Sequence, residues 1–144
     1  MDDVRRALVG PAASRDLAAT PRVVVADDED DIRALVCLAV AKAGGAVVHS
    51  VADGAAALAA VRTELPDLVV LDVSMPGATG LDVCTALRDE PATAWIRVLL
   101  LSAGASPDDV ARGLAAGADA YLAKPFRVSG LVDQIRALLA GQPA

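Results

Sequence analysis

The apolar positions of this chain follow two alternating rhythms. Val23-Val24-Val25-Ala26, Leu68-Val69-Val70-Leu71 and Val98-Leu99-Leu100-Leu101 are unbroken runs of four, the pattern of strands buried on both faces of a sheet. Between them the spacing widens to helical stripes. Leu81, Val83, Cys84 and Leu87 mark one, and Leu131, Val132, Ile135, Leu138 and Leu139 another. Gly44-Gly45, Pro66, Gly117 and Gly141 stand where helices should stop. The predicted order is strand 22–26, helix 30–43, strand 46–50, helix 54–64, strand 68–71, helix 80–88, strand 96–101, helix 107–116, strand 119–122 and helix 128–140. Such regular alternation predicts an α/β domain, a doubly wound parallel sheet of five strands with flanking helices and right-handed crossovers. Residues 1–20, where only Val4, Ala7 and Leu8 keep helical spacing, are expected to be a flexible extension, 21–141 the domain and 142–144 a tail.

At 144 residues the chain has the length of one domain. Apolar residues make up 55% but aromatics only 2%, so the core must be built from Val, Leu, Ile and Ala, which suits helices packed closely on a sheet. A formal net charge of −6 with no basic run argues against a direct grip on nucleic acid or an anionic membrane. Proteins and cations are the expected partners. No apolar run reaches membrane-spanning length and the first residues lack a signal-peptide core, so a cytoplasmic location is expected. Cys37 and Cys84 lie in helical patterns without metal-ligand spacing and read as small buried or half-buried residues. His49 is the only histidine. It is expected to face outward from the second strand, and it leaves no His-based metal site.

The chemistry gathers where strands end. Asp72 closes the third strand and runs into the loop Val73-Ser74-Met75-Pro76-Gly77, while Asp27-Asp28 close the first. In an open parallel sheet both ends lie at the carboxyl edge, where ligands bind. Carboxylates gathered there repel one another unless a cation holds them, and Mg²⁺ suits oxygen donors. Taken singly, each acid also reads as a helix N-cap or a solvated charge, and Asp28, Glu29, Asp30 and Asp31 suit the positive end of a helix. The fourth strand ends in Ser102-Ala103-Gly104 and the fifth in Lys124-Pro125-Phe126. A hydroxyl and an ammonium added to the acidic edge make a set suited to a divalent cation plus a phosphoryl group.

With these strand-end residues in this order, residues 21–141 resemble the receiver domain of two-component response regulators. The resemblance implies a flavodoxin-like sheet in the order 2-1-3-4-5. It also implies that Asp72 is the phosphoacceptor, served by Lys124 and Ser102, with Lys124 next to a cis proline. Asp28, Asp72 and the Ser74 backbone carbonyl would bind Mg²⁺ directly and Asp27 through water, while Ser102 and Tyr121 would form the switch. The implied function is a phosphorelay signalling receiver that takes a phosphoryl group from a histidine kinase and alters a protein-binding face. Such a module is no enzyme beyond self-catalysed phosphoryl acceptance and autodephosphorylation. Its implied partners are a sensor histidine kinase or phosphotransfer protein and a downstream protein target, with no direct nucleic acid binding and no membrane. Receivers that dimerise through the fourth helix, fifth strand and fifth helix carry matched acids and bases there. This chain has Ala120, Gly130 and Gln134 at those positions, so a monomer or weak dimer is expected.

Departures from the family pattern are mild. Ser102 replaces the commoner threonine, Arg97 a frequent proline, and the short Ser74 stands where larger side chains can shield an acyl phosphate. Trp95 is expected to be a partly exposed loop or strand-start residue. A Mg²⁺-dependent aspartyl-phosphate phosphatase of the haloacid-dehalogenase type is an alternative, since Asp28-Glu29-Asp30 superficially matches its Asp-x-Asp. Asp31-Ile32 after it and the capping position of Asp108-Asp109 behind Pro107 count against that enzyme. A non-phosphorylated interaction module is the third possibility, although every residue the chemistry needs is present.

Overall fold

The computed structural model describes residues 19–141. They form β1 (Arg22–Ala26), α1 (Asp30–Lys42), β2 (Ala46–Val51), α2 (Gly54–Glu64), β3 (Leu68–Asp72), α3 (Gly80–Asp89), β4 (Arg97–Ser102), α4 (Pro107–Ala115), β5 (Ala120–Ala123) and α5 (Val128–Leu139). All strand pairs are parallel and the sheet order is β2-β1-β3-β4-β5. The expected fold class and strand order are therefore borne out, and each element lies where the apolar pattern puts it. Residues 1–18 of the expected extension, and the tail 142–144, lie outside the described residues. Among the described residues no helix is long and apolar enough to cross a membrane.

Alternation along the inner strands divides the core into two layers. Val24, Ala26, Val69, Leu71, Val98 and Leu100 pack on one side with Ala57 and Val61 of α2 and Val83, Cys84 and Leu87 of α3. Val23, Val25, Leu68, Val70, Leu99 and Leu101 pack on the other with Val36 and Val40 of α1 and Leu131, Ile135 and Leu138 of α5. With both faces covered, β1, β3 and β4 need no polar face, which explains their unbroken apolar runs. β2 and β5 are the edges. His49 is exposed on β2, and its Nε2 lies 3.1 Å from Glu64 Oε2. Cys84 is buried and Cys37 half-buried. Burial pushes the Cys84 thiol up to about 11, so it stays protonated and inert at neutral pH.

The two ends of the sheet are built differently. At the amino edge Arg88 donates to the carbonyls of Ala94, Ile96 and Gly117 and pairs with Asp119 Oδ2 at 2.9 Å. Asp119 Oδ2 also accepts the Val98 N–H at 2.8 Å. Trp95 lies half-buried in the turn before β4, its Nε1 donating to the Ala92 carbonyl at 2.7 Å. At the carboxyl edge the ladder continues past the strands: Asp27 N–H to Val51 O at 3.1 Å, Val73 N–H to Leu101 O at 2.8 Å and Lys124 N–H to Ser102 O at 2.7 Å. The Lys124-Pro125 peptide bond is cis. Among the described residues five helices start at this edge, and α2, α3 and α4 are capped by Asp53, Thr79 and Ser106. The starts of α1 and α5, at Glu29 and Arg127, have no side-chain cap.

Helix α4 is the most lightly seated, with Gly113 its only buried residue. A Cβ on Gly113 would lie 2.7 Å from Tyr121 Cδ2 and 3.2 Å from Leu100 Cδ1. The missing side chain is what lets the helix rest on the tyrosine ring. Gly113→Ala is therefore expected to destabilise the fold by about 1–3 kcal/mol through overpacking, against the roughly 1 kcal/mol that alanine gains at an open helical position. Urea unfolding and NMR shifts of the Tyr121 ring measure both effects. A more stable variant with an unmoved ring would refute the contact's importance.

Candidate functional site

Sheet register brings the acids together. Ala26 pairs with Leu71 and Leu71 with Leu100, so Asp27 and Asp72, each one residue further on, end side by side. Lys124 reaches in from the residue after β5, its Nζ 3.0 Å from Asp27 Oδ2 and 3.4 Å from Asp72 Oδ2. Asp27 is 0% exposed and Asp72 3%, whereas Asp28 faces solvent. The β1–α1 turn is tied down twice: Asp27 Oδ1 accepts the Glu29 N–H at 2.9 Å, and the Asp27 carbonyl accepts Arg33 Nη1 at 2.8 Å. Asp72 Oδ1 accepts the Ser74 N–H at 3.3 Å. Behind Asp72, α3 begins so close that a Cβ on Gly80 would lie 2.4 Å from the Asp72 carbonyl oxygen.

Burial is the main cause that raises the Asp72 pKa to about 6, and the Asp27 charge adds to it. Lys124 and the Ser74 N–H offset this only in part. For Lys124, burial disfavours the ammonium, but its hydrogen bond to Asp27 and the charges of Asp72 and Asp27 outweigh that and raise its pKa. One carboxylate oxygen each from Asp27, Asp28, Glu29 and Asp72 lies within 4.8 Å of the others. Four carboxylates around one ammonium leave the pocket short of positive charge. An all-oxygen donor set of this spacing fits a hard divalent cation such as Mg²⁺.

Glu29 is the member of this cluster that sequence reasoning does not single out as a site residue. Its Oε1 lies 3.6 Å from Lys124 Nζ, and its one sequence signal is that it directly follows Asp27-Asp28. Ser102 and Tyr121 are joined through Gly104, which bonds both of them. Ser102 is buried, with Oγ accepting the Gly104 N–H at 3.0 Å, and the Tyr121 hydroxyl donates to the Gly104 carbonyl. Ser74 is exposed in the β3–α3 loop. The acids that a phosphatase of the haloacid-dehalogenase type would need are engaged elsewhere. Asp30 pairs with Arg33 at 2.7 Å, and Asp109 closes the capping box with Ser106.

The family model of the response regulator receiver domain matches residues 23–136. Transcriptional regulatory protein CseB of Streptomyces avermitilis is 42% identical over 123 residues, 85% of this chain and 51% of that protein. Transcriptional regulatory protein PrrA of Mycobacterium tuberculosis is 44% identical over 124 residues, 83% of this chain and 50% of that protein. The chain thus spans about half the length of these curated relatives. Among solved structures, the signal receiver domain of NarL from Mycobacterium tuberculosis superposes with a TM-score of 0.80 at 35% identity, covering 85% of this chain and 98% of that one. Chemotaxis response regulator CheY4 of Vibrio cholerae gives 0.77 at 31% identity, covering 83% and 99%.

The raised Asp72 pKa makes metal-free stability depend on pH in a definite direction. Between about pH 4 and pH 6 the folded protein binds more protons at Asp72 than the unfolded chain, so stability falls as pH rises through this window. Asp72→Asn should flatten that slope and raise metal-free stability at pH 7 by about 1–3 kcal/mol, because Lys124 keeps Asp27 as its partner. Thermal melts in EDTA across this range are the measurement. A variant that melts lower than the parent at pH 7 would mean that Asp72 is a structural partner and not a strained acid.

Proposed function

We propose, on the premise that this chain belongs to the response regulator receiver domain family, that Asp72 accepts a phosphoryl group from a phosphohistidine in a Mg²⁺-dependent reaction. The observation that carries this is the shared ammonium: Lys124 Nζ stands within 3.4 Å of carboxylates from two different strand ends. An Asp72 Oδ attacks phosphorus as the P–N bond of the phosphohistidine breaks, and the imidazole nitrogen keeps the electron pair. A carboxylate nucleophile needs no general base, and with a pKa of about 6 Asp72 is mostly ionised at neutral pH. Asp28, Asp72 and the Ser74 carbonyl would hold Mg²⁺ directly and Asp27 through water. When bound, Mg²⁺ supplies charge that offsets Asp72 and the incoming phosphoryl oxygens. Lys124 then pairs with the transferred group.

Phosphorylated Asp72 offers acceptor oxygens that Ser102 can reach only by moving inward and leaving the Gly104 N–H. Tyr121 donates to the carbonyl of that same Gly104, so a shift of the β4–α4 loop passes directly to the ring and to α4. A local charge thereby becomes an altered protein-binding surface. The donor is a sensor histidine kinase or a phosphotransfer protein in the cytoplasm, and the reader is a downstream protein. The segment matched here is about half of each relative named as a transcriptional regulator, and residues 21–141 do not themselves contact DNA in this proposal. Autodephosphorylation is the one further reaction of the module.

Acetyl phosphate with Mg²⁺ should add one phosphoryl group by intact mass, and Asp72→Asn or EDTA should abolish it. Equal labelling of the variant would sink the assignment of Asp72. Ser102→Ala should still be labelled but show a smaller NMR response around Tyr121 and α4, whereas Lys124→Ala should bind Mg²⁺ and lose the activated conformation. A Ser102→Ala response as large as the parent's would break the coupling. With Ala120, Gly130 and Gln134 on the face of α4, β5 and α5, beryllofluoride should not drive a tight dimer there. Light scattering showing an activation-dependent symmetric dimer through that face would refute this.

A further inference from the structure

Glu29 occupies a position that hydrogen-bonded capping does not explain. It is the N-cap of α1, where Ser, Thr, Asp and Asn are favoured because a short side chain reaches the free helix N–H groups, yet its side chain makes no cap hydrogen bond. The carboxylate turns instead to the mouth of the pocket, 3.6 Å from Lys124 Nζ and within 4.8 Å of ligand oxygens on Asp27, Asp28 and Asp72. Its side chain is 62% exposed against 12% for Lys124. Glu29 therefore covers the solvent side of the ammonium that a phosphoryl group must reach.

We propose that Glu29 is a charge-selecting residue of the phosphoryl site, one that competes with the donor for Lys124 and disfavours small phosphodonors according to their negative charge. It takes this part only if Asp72 is the phosphoryl acceptor. Acetyl phosphate is a dianion near neutral pH and phosphoramidate a monoanion, so the first meets more repulsion from Glu29 and Asp28 on its way in. With either donor an Asp72 Oδ bonds to phosphorus as the P–O bond to acetate or the P–N bond to ammonia breaks. Acetate or ammonia leaves with the electron pair, and ammonia keeps the nitrogen's own protons. Because the Glu29 side chain makes no cap hydrogen bond, its replacement removes no such bond from the start of α1.

The test compares labelling rates of the parent, Glu29→Gln and Glu29→Lys with both donors, at Mg²⁺ saturating for each protein and at low and high salt. Glu29→Gln should raise the acetyl phosphate to phosphoramidate rate ratio about two- to fivefold, the scale of an exposed ion pair. Glu29→Lys should raise it further, and high salt should shrink both effects. Mg²⁺ affinity from NMR titration, a readout independent of phosphorylation, should fall by a similar factor in Glu29→Gln. A change that merely loosened α1 would slow both donors alike, and an unchanged ratio, or one equal in the two variants, overturns the proposal. A parent that accepts phosphoryl from neither donor would instead overturn the assignment of Asp72 and take this selectivity with it.

Discussion

One ammonium holds the functional edge together. Asp27 has no exposed surface, and burying a carboxylate without a partner charge is costly. Lys124 supplies it while also facing Asp72 and Glu29. The sheet makes this possible, because residues far apart in sequence become neighbours only when β1, β3 and β5 run parallel in one register. The same arrangement leaves Asp72 under-compensated, so the pocket tolerates a cation and an anionic group better than it tolerates being empty of both.

The unequal ends of the sheet suit this chemistry. Arg88 and Asp119 satisfy carbonyls and an N–H at the amino edge and bind α3, β4 and the turn before β5 into one block. At the other edge, the two helices without side-chain caps are those that start beside Asp27 and Lys124. A helix start without a side-chain cap keeps the partial positive charge of its first turn. Each of α2, α3 and α4 gives one N–H of its first turn to its own cap side chain.

Much of this was legible in the sequence, for identifiable reasons. Unbroken apolar runs exist because both sheet faces are covered, and strand-end Asp27, Asp72 and Lys124 converge because a parallel sheet sends every strand end to one side. Other features depend on side-chain direction, which spacing does not encode. Glu29 belongs to an acidic run that suits any helix start, and only its orientation toward Lys124 separates it from Asp30, which turns to Arg33. Burial likewise ranks Asp27 against Asp28, adjacent residues with one charge type and opposite exposures. The meeting of Ser102 and Tyr121 at Gly104 follows from loop geometry that no motif records. His49 was readable as outward-facing, but its partner Glu64, on a helix end, was not.

Trp95 is the only tryptophan, and it sits in the turn that feeds β4 at the amino edge, hydrogen-bonded to Ala92. The length of β4 separates it from the acidic pocket by roughly 20 Å. Its indole is therefore placed to gauge whether the sheet and its helices are assembled, and is remote from events at the opposite pole. Tryptophan fluorescence is thus suited to following integrity, and events at the acidic pocket call for a label placed elsewhere.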